Sequence, residues 1–403
     1  MTVALADLDR LDLADPVVHA ENDLHPVWAR LRATEPVRWH PATAGRPGFW
    51  VVTRYADAVE VFRDTGTYSS ARGNVLASLL AGGDTASGVM AAVSDGTRHR
   101  ALRQVLMAAF APRLLDAVRP QVTAHAEDLI EQAVALGDCD FAEEVAARLP
   151  MTVICELLAV PVPDRARLLT LTRVALSSDT AEQDPLDVWE ARNEILAYFQ
   201  DLADDRRDSP GDDAVSVLVD EQFGLTADEV VANCYSLILG GDETARLSMS
   251  GAVHALAGHP GQWRDLRDGT VGVDTAVDEV LRWTTPAQHF GRTATTGAEI
   301  AGTRIAAGDI VTVWTCSANR DEDHFDRPDR YDLGRTPNRH LAFGHGPHYC
   351  IGAYLGRMEI AAVLTALRDR VGGIEMTADP KPVYSTMLSG YRSVPVKLTP
   401  PTS

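Results

Sequence analysis

From Thr226 to Gly258 the chain carries an unbroken helical pattern, opened by Thr226-Ala227-Asp228-Glu229 and stopped by His259-Pro260. The opening has the capping-box pattern, in which a hydroxyl and a carboxylate three residues on satisfy each other's backbone N–H groups. The proline ends the run, because it lacks a donor and clashes with the preceding turn. About 32 residues at 1.5 Å each predict a helix roughly 48 Å long. Such a helix crosses a whole domain, and the other elements must pack around it. In its middle stand Gly240 and Gly241, each costing about 1 kcal/mol relative to alanine in a helix interior. They open the helix surface and invite a local kink. Glu243 and Thr244 follow at once. By themselves, Thr244 reads as a hydroxyl bonding back to the Gly240 carbonyl, and Glu243 as a solvated or salt-bridged carboxylate.

A second stretch, Phe343-Gly344-His345-Gly346-Pro347-His348-Tyr349-Cys350-Ile351-Gly352, places one cysteine behind a glycine-rich turn. Ala353 to Arg370 is periodic, apolar-rich and free of proline, so Cys350 sits at the mouth of a helix. Unpaired N–H groups and the positive end of a helix dipole favour thiolate there. Gly346 and Gly352 remove side chains where backbone must fold around a large flat object. A soft anionic sulfur in that setting suits axial ligation of haem iron. His340, His345 and His348 lie close by in sequence, but paired zinc knuckles at short spacing are missing. A cysteine nucleophile with a histidine base lacks any further group to complete it.

The spacing Phe343, Gly346, Cys350, Gly352 resembles the haem-binding signature of the cytochrome P450 family, for which thiolate ligation is known. Four such fixed positions coincide by chance on the order of once per thousand chains of this composition. Gly240, Gly241, Glu243 and Thr244 likewise resemble the family's oxygen-activation motif. The resemblance implies a mainly α cytochrome P450 fold, a large helical domain with a small β-rich region. Haem would lie between the long central helix and the cysteine-ligand helix, with Gly241 beside it. It implies haem b (iron protoporphyrin IX) on Cys350, with Phe343 and Gly352 framing the ligand. Thr244 would hydrogen-bond the dioxygen being activated while Glu243 relays protons from solvent. His99 and Arg103, one helical turn apart, with Arg292 and His348, fill the positions that clamp the haem propionates, where forked donors suit carboxylates. Glu279-Val280-Leu281-Arg282 resembles the structural Glu-x-x-Arg element, tied to Arg330 or a neighbour in 326–333. Ala318 to Asp321 is a further family-like element.

The implied activity is a haem-thiolate monooxygenase that hydroxylates or epoxidises a small organic, natural-product substrate. Oxidative aromatic coupling on the same haem and a non-catalytic haem sensor or carrier are the alternatives. The chain contains no flavin or iron–sulfur module, so ferredoxin and ferredoxin reductase are the implied donors, beside O2 and a substrate that is carrier- or peptide-linked. Thr97 to Arg103, aided by Arg113, Arg339 and Arg357, forms a basic patch that can steer such a donor. By position relative to the motifs, Val89, Met90, Ile238, Ala287, Gln288, His289, Phe290, Met387 and Leu388 line an apolar pocket, with Gln288 and His289 as polar anchors.

Length alone suggests two domains, but the Pro/Gly/Asp-rich segments at 208–211 and 332–338 are short and flanked by helical patterns. A single domain over 1–403 follows, with β-rich parts near 35–55, 299–315 and 384–396. Helices are expected at 55–63, 112–136, 163–176 and 187–206, a Gly/Ala/Ser-rich loop at 72–93, and a terminal hairpin over 384–396. The first fifteen residues lack the basic and apolar regions of a signal peptide, and no run of about eighteen apolar residues occurs. A net charge of −20 argues against nucleic acid and anionic membranes. Cys139, Cys155, Cys234 and Cys316 are scattered in apolar contexts, as in a reduced protein. A cytoplasmic monomer is the expectation.

Overall fold

The computed structural model describes residues 11–43, 45–176 and 184–401. The long helix forms as its caps dictate. Ala227–Gly258 is one continuous α-helix, the Thr226 hydroxyl accepting from the Glu229 N–H and the Glu229 carboxylate from the Thr226 N–H. The paired glycines do not interrupt it, because the flanking turns are packed on several sides. Arg148–Leu157, Pro185–Asp208, Val273–Thr284 and the cysteine helix Ala353–Arg370 all contact it. Pro112–Leu136 lies along the cysteine helix. These helices share one large core, including Ile130, Phe141, Ile195, Phe199 and Leu367. Each such side chain contributes about 1.5–3 kcal/mol by leaving water. The architecture is mainly α.

The largest sheet has five strands in the order Val37–His40, Phe49–Val52, Ile310–Val313, Phe290–Ala294 and Tyr68–Ser69. Phe49–Val52 runs parallel to Ile310–Val313, pairing Trp50 with Val311, so strands far apart in the sequence meet there. Phe290–Ala294 pairs antiparallel with the same strand, and this fixes Arg292 opposite Val311. Ile310–Val313 is apolar or threonine throughout and is buried along its whole length.

Most expected elements appear within two residues of their sequence-read bounds. The helices read from 163 and 187 begin earlier, at Val162 and Pro185; for the second, the Asp184 carboxylate caps the Leu186 N–H. The loop at 72–93 holds a short helix, Leu76–Leu80, and a 3-10 turn, Ala91–Val93. The terminal hairpin is redistributed. Lys381–Pro382 pairs with Tyr391–Ser393, whereas Pro395–Thr399 joins Asp138–Asp140 and Gly373–Met376 in another sheet. The Asp140 carboxylate accepts from the Val394 N–H and pins that switch. Among the described residues no single helix is long and apolar enough to cross a membrane.

Candidate active site

The turn before the cysteine is built on backbone that only glycine adopts easily. Gly344 and Gly346 have φ of +69° and +71°. A Cβ on Gly346 would stand 2.6 Å from the Phe62 carbonyl oxygen, so the turn also packs directly on a neighbouring backbone. The Cys350 N–H donates to the Phe343 carbonyl at 2.9 Å, and the Arg357 guanidinium covers the Phe343 ring at 4.6 Å. Gly352 then caps the cysteine helix. The thiol is left exposed, with the Gly352 N–H directed at its sulfur, although protein encloses its surroundings. That enclosure pushes the thiol pKa up, against the Gly352 N–H, Arg103 and Arg357, which favour thiolate. The helix end favours thiolate in the expected direction, and burial of the unliganded thiol outweighs it. A coordinated metal removes a thiol proton outright.

The central helix presents a partly open stripe at Ser236, Leu239, Gly240 and Thr244, spaced by helical turns. A Cβ on Gly240 would meet nothing within 4 Å, so this glycine opens the surface. Gly241, expected beside the cofactor, instead faces Ile154, which its Cβ would approach to 3.0 Å. Its role is close packing against Arg148–Leu157. Ile238, expected in the pocket, is fully buried on that inner side. Leu239, one step on, lies on the partly open stripe instead, and the wheel spacing from Thr244 would have identified it. The Thr244 hydroxyl donates to the Gly240 carbonyl at 3.0 Å. Glu243 is buried and forked by Arg246, whose Nε lies 2.9 Å from the carboxylate and whose Nη2 makes a second contact.

Four cofactor-binding candidates converge. His99 and His348 pack ring on ring at 4.1 Å, and the His348 Nε2 lies 3.1 Å from Asp95. Burial, then His348 and Arg103, push the His99 pKa down to about 4. Arg292 is buried, its Nη1 donating to the Gly291 carbonyl at 2.7 Å while its Nε–H has no partner. Burial lowers its pKa to about 10. A cavity joins Arg292 and His348 with Phe62, Phe290 and Gly344. A buried guanidinium with an orphaned donor is costly, on the order of 1–3 kcal/mol, until an anion accepts from it. The haem propionates would be such acceptors, and the residues present therefore fit the group. Asp95, which sequence reasoning missed, accepts from Ser69, Ser70 and Ala71 and so fixes His348. Arg103 makes no side-chain hydrogen bond among the described residues but is near enough to Cys350 to favour its charge.

The nine residues expected around the pocket fall into two groups. Val89, Met90, Phe290 and Met387 are only half-buried. Leu388 is instead buried with Leu247 and Val383, and Ala287 pairs with it in a β-bridge. Gln288 and His289 are not free anchors. The Gln288 amide donates to the Ser385, Thr386 and Leu388 carbonyls. The His289 Nδ1 faces the Thr386 carbonyl at 2.9 Å, and its Nε2 accepts from the Leu76 N–H at 3.2 Å. Both side chains are consumed in holding the C-terminal loop, a demand invisible in local sequence. A further missed residue is Asn233, buried on the central helix. It donates to Val89 O and accepts from Ala91 N–H, each at 3.0 Å, fastening the 72–93 loop.

The three histidines near Cys350 diverge, to Asp278 from His340, to Arg63 from His345 and to Asp95 from His348. Glu279 and Arg282 form a fully buried bidentate pair at 2.8 Å. Its third member is Arg335, at 3.1 Å, while Arg330 contributes only its carbonyl. Asn319 ties the same region together by accepting from the Leu341 N–H at 2.7 Å. In the basic patch, Arg98, Arg113 and Arg357 are already paired, with Glu229, Asp212 and Asp278 respectively.

The cytochrome P450 family description matches residues 272–370, which run from the Glu279–Arg282 helix through the cysteine helix. Cytochrome P450 NovI of Streptomyces niveus is 46% identical over 401 residues, covering 99% of this chain and 98% of that protein. The chain belongs to the cytochrome P450 family. Linalool 8-monooxygenase of Pseudomonas putida is 32% identical over 406 residues, covering 98% of this P450 and all of the relative. Among solved structures, P450 OxyD, involved in the biosynthesis of vancomycin-type antibiotics, superposes with a TM-score of 0.88 at 36% identity. That match covers 97% of this chain and 100% of OxyD. This P450 is a haem monooxygenase with the mainly α P450 fold, using O2, redox partners and a small-molecule substrate.

Proposed function

We propose that this P450 hydroxylates or epoxidises a small natural-product intermediate, carrier- or peptide-linked, with electrons from a ferredoxin and its reductase. The whole chain acts as one cytoplasmic domain carrying haem b. One observation supports the cofactor reading above the rest: a buried Arg292 with an orphaned donor shares a cavity with His348, two residues before the open Cys350 thiol. Bound haem supplies the dioxygen-activating, electron-accepting chemistry.

The chain's own residues do the rest. Cys350 would supply the thiolate ligand of the haem iron, and Arg292, His348, His99 and Arg103 would hold the haem carboxylates. Thr244 keeps a proton at its Oγ1, oriented by the Gly240 carbonyl over a helix position without a Cβ and with open space beside it. When its carboxylate leaves Arg246, Glu243 takes up a proton from solvent and passes it inward. Val89, Met90, Phe290, Met387 and Leu239 exclude water and present an apolar wall, and Asn233 keeps the loop carrying the first two in place. An apolar wall of this kind suits a scaffold whose polar end stays outside, as a tethered substrate's would.

The deciding experiment is turnover with ferredoxin, reductase and ¹⁸O2. One labelled oxygen per product for each pair of electrons is expected. An unlabelled coupled product would point to radical coupling, and no product-linked reductant use would point to a carrier.

A further inference from the structure

The central helix hides, beside Glu243, a carboxyl that the proposed oxygen activation does not use. Asp242 precedes Glu243 but, two positions from Thr244, points to the opposite side of the helix, where it is 1% exposed. Its Oδ2 accepts from Thr172 at 3.2 Å, and its Oδ1 has no partner. Glu359, on the cysteine helix nine residues after the ligand, is as deeply buried, and its Oε1 also has no partner. The two helices are in contact, and the two carboxyls lie within electrostatic reach of one another. Two buried acids with a single hydroxyl donor between them cannot easily both be anions, because each poorly paired charge carries a large desolvation cost.

We propose that Asp242 and Glu359 form a buried carboxyl pair that stores a proton between the oxygen-activation helix and the cysteine helix, and that its charge controls how firmly Arg246 holds Glu243. The groups facing the pair are few. Glu243 and Arg246 lie on the same helix, Thr172 and Arg173 on Val162–Leu176, and Cys155 on Arg148–Leu157. Burial, followed by the Glu243 charge, pushes Asp242 up to about 7, against Arg246 and Thr172, which favour its anion. Burial and Asp242 raise Glu359 well above the usual carboxylate range. Glu359 is therefore the standing acid and Asp242 the one that exchanges. When Asp242 loses its proton, Arg246 acquires a second anion to attract, and the grip on Glu243 loosens. Asp242 and Glu359 act through Glu243 and are positioning residues. Only the consequence for Glu243 rests on the proposed oxygen-activation role; the stored proton does not.

The test is infrared spectroscopy of the haem-loaded protein across neutral pH, in wild type, Asp242→Asn and Glu359→Gln. Wild type is expected to show carbonyl-stretch bands of protonated carboxylic acids at pH 7. One of them is lost in Glu359→Gln. Another fades as pH rises through neutrality and is missing from Asp242→Asn. Wild type is also expected to show a break near neutral pH in product formed per reductant consumed, which disappears in Asp242→Asn and is restored by Asp242→Glu. Absence of acid bands at pH 7, or bands that neither substitution alters, would overturn the stored proton. Bands as expected with an unchanged coupling profile would overturn only the link to Glu243. If one variant does not take up haem, the band removed by the other still decides the pair.

Discussion

The Cys350 N–H reaches the Phe343 carbonyl across 2.9 Å, and this bond closes the turn that aims the thiol. The turn closes only because Gly346 adopts φ +71° against the Phe62 backbone. Gly346→Val adds both a left-handed strain of about 1–2 kcal/mol and a backbone clash. We expect a loss of at least about 2 kcal/mol in urea unfolding, with a fall in bound haem per protein, both measured on purified protein.

Arg282 donates twice to Glu279 and also to the carbonyls of Asn319 and Pro328, with neither charged group exposed. Removing one partner strands the other charge, at about 3–5 kcal/mol. Glu279→Ala strands Arg335 as well. Glu279→Ala and Arg282→Ala should both be largely insoluble or haem-free, and Arg282→Lys should fare no better, since an ammonium cannot reproduce the fork. Thermal unfolding and the yield of holoprotein measure this.

Thr244→Ala leaves the helix intact, because the lost bond is a local one to Gly240. Stability should change by less than about 0.5 kcal/mol. Product per reductant should fall by about one to two orders of magnitude, within reach of a proton-transfer contribution. Reductant should continue to be consumed and peroxide to accumulate. Equal falls in consumption and product would place Thr244 outside the proton path.

His289 gives the stability a defined acid slope. Burial, with His19 nearby, holds its pKa down to about 3 from 6.5. The folded state keeps the imidazole neutral, while the unfolded chain binds a proton below 6.5. The contribution is thus fully present above pH 6.5 and is lost as pH falls toward 3, by up to about 1.4 kcal/mol per unit. His289→Gln should flatten the slope of unfolding free energy between pH 6.5 and 4. Asp242 works in the opposite sense: its raised pKa removes stability as pH climbs from the carboxylate range to about 7, so Asp242→Asn should gain stability over wild type most above neutrality.

What could be read from sequence followed local rules. Thr226 with Glu229, Pro260, and the glycine spacing before Cys350 each act over a few residues, and each appears where the pattern put it. The misses came from long-range demands. His289 looks like a pocket histidine until Leu76 and Thr386, 213 and 97 residues away, claim its two nitrogens. Gly241 is indistinguishable from Gly240 until Ile154 is seen against it. Ile238 and Leu239 exchange roles by a single helical step, a precision that motif position does not carry but the Thr244, Gly240, Ser236 spacing does. Asp95 and Asn233 had no motif at all, and their importance lies in backbone groups of loops folded beside them.

The most direct test of the account is the carbon monoxide difference spectrum of the reduced protein, recorded beside Cys350→Ser. A strongly red-shifted Soret band in wild type, absent from the variant, is the predicted result and establishes Cys350 as the thiolate ligand. A haem spectrum without that band, or a band surviving the substitution, would contradict it.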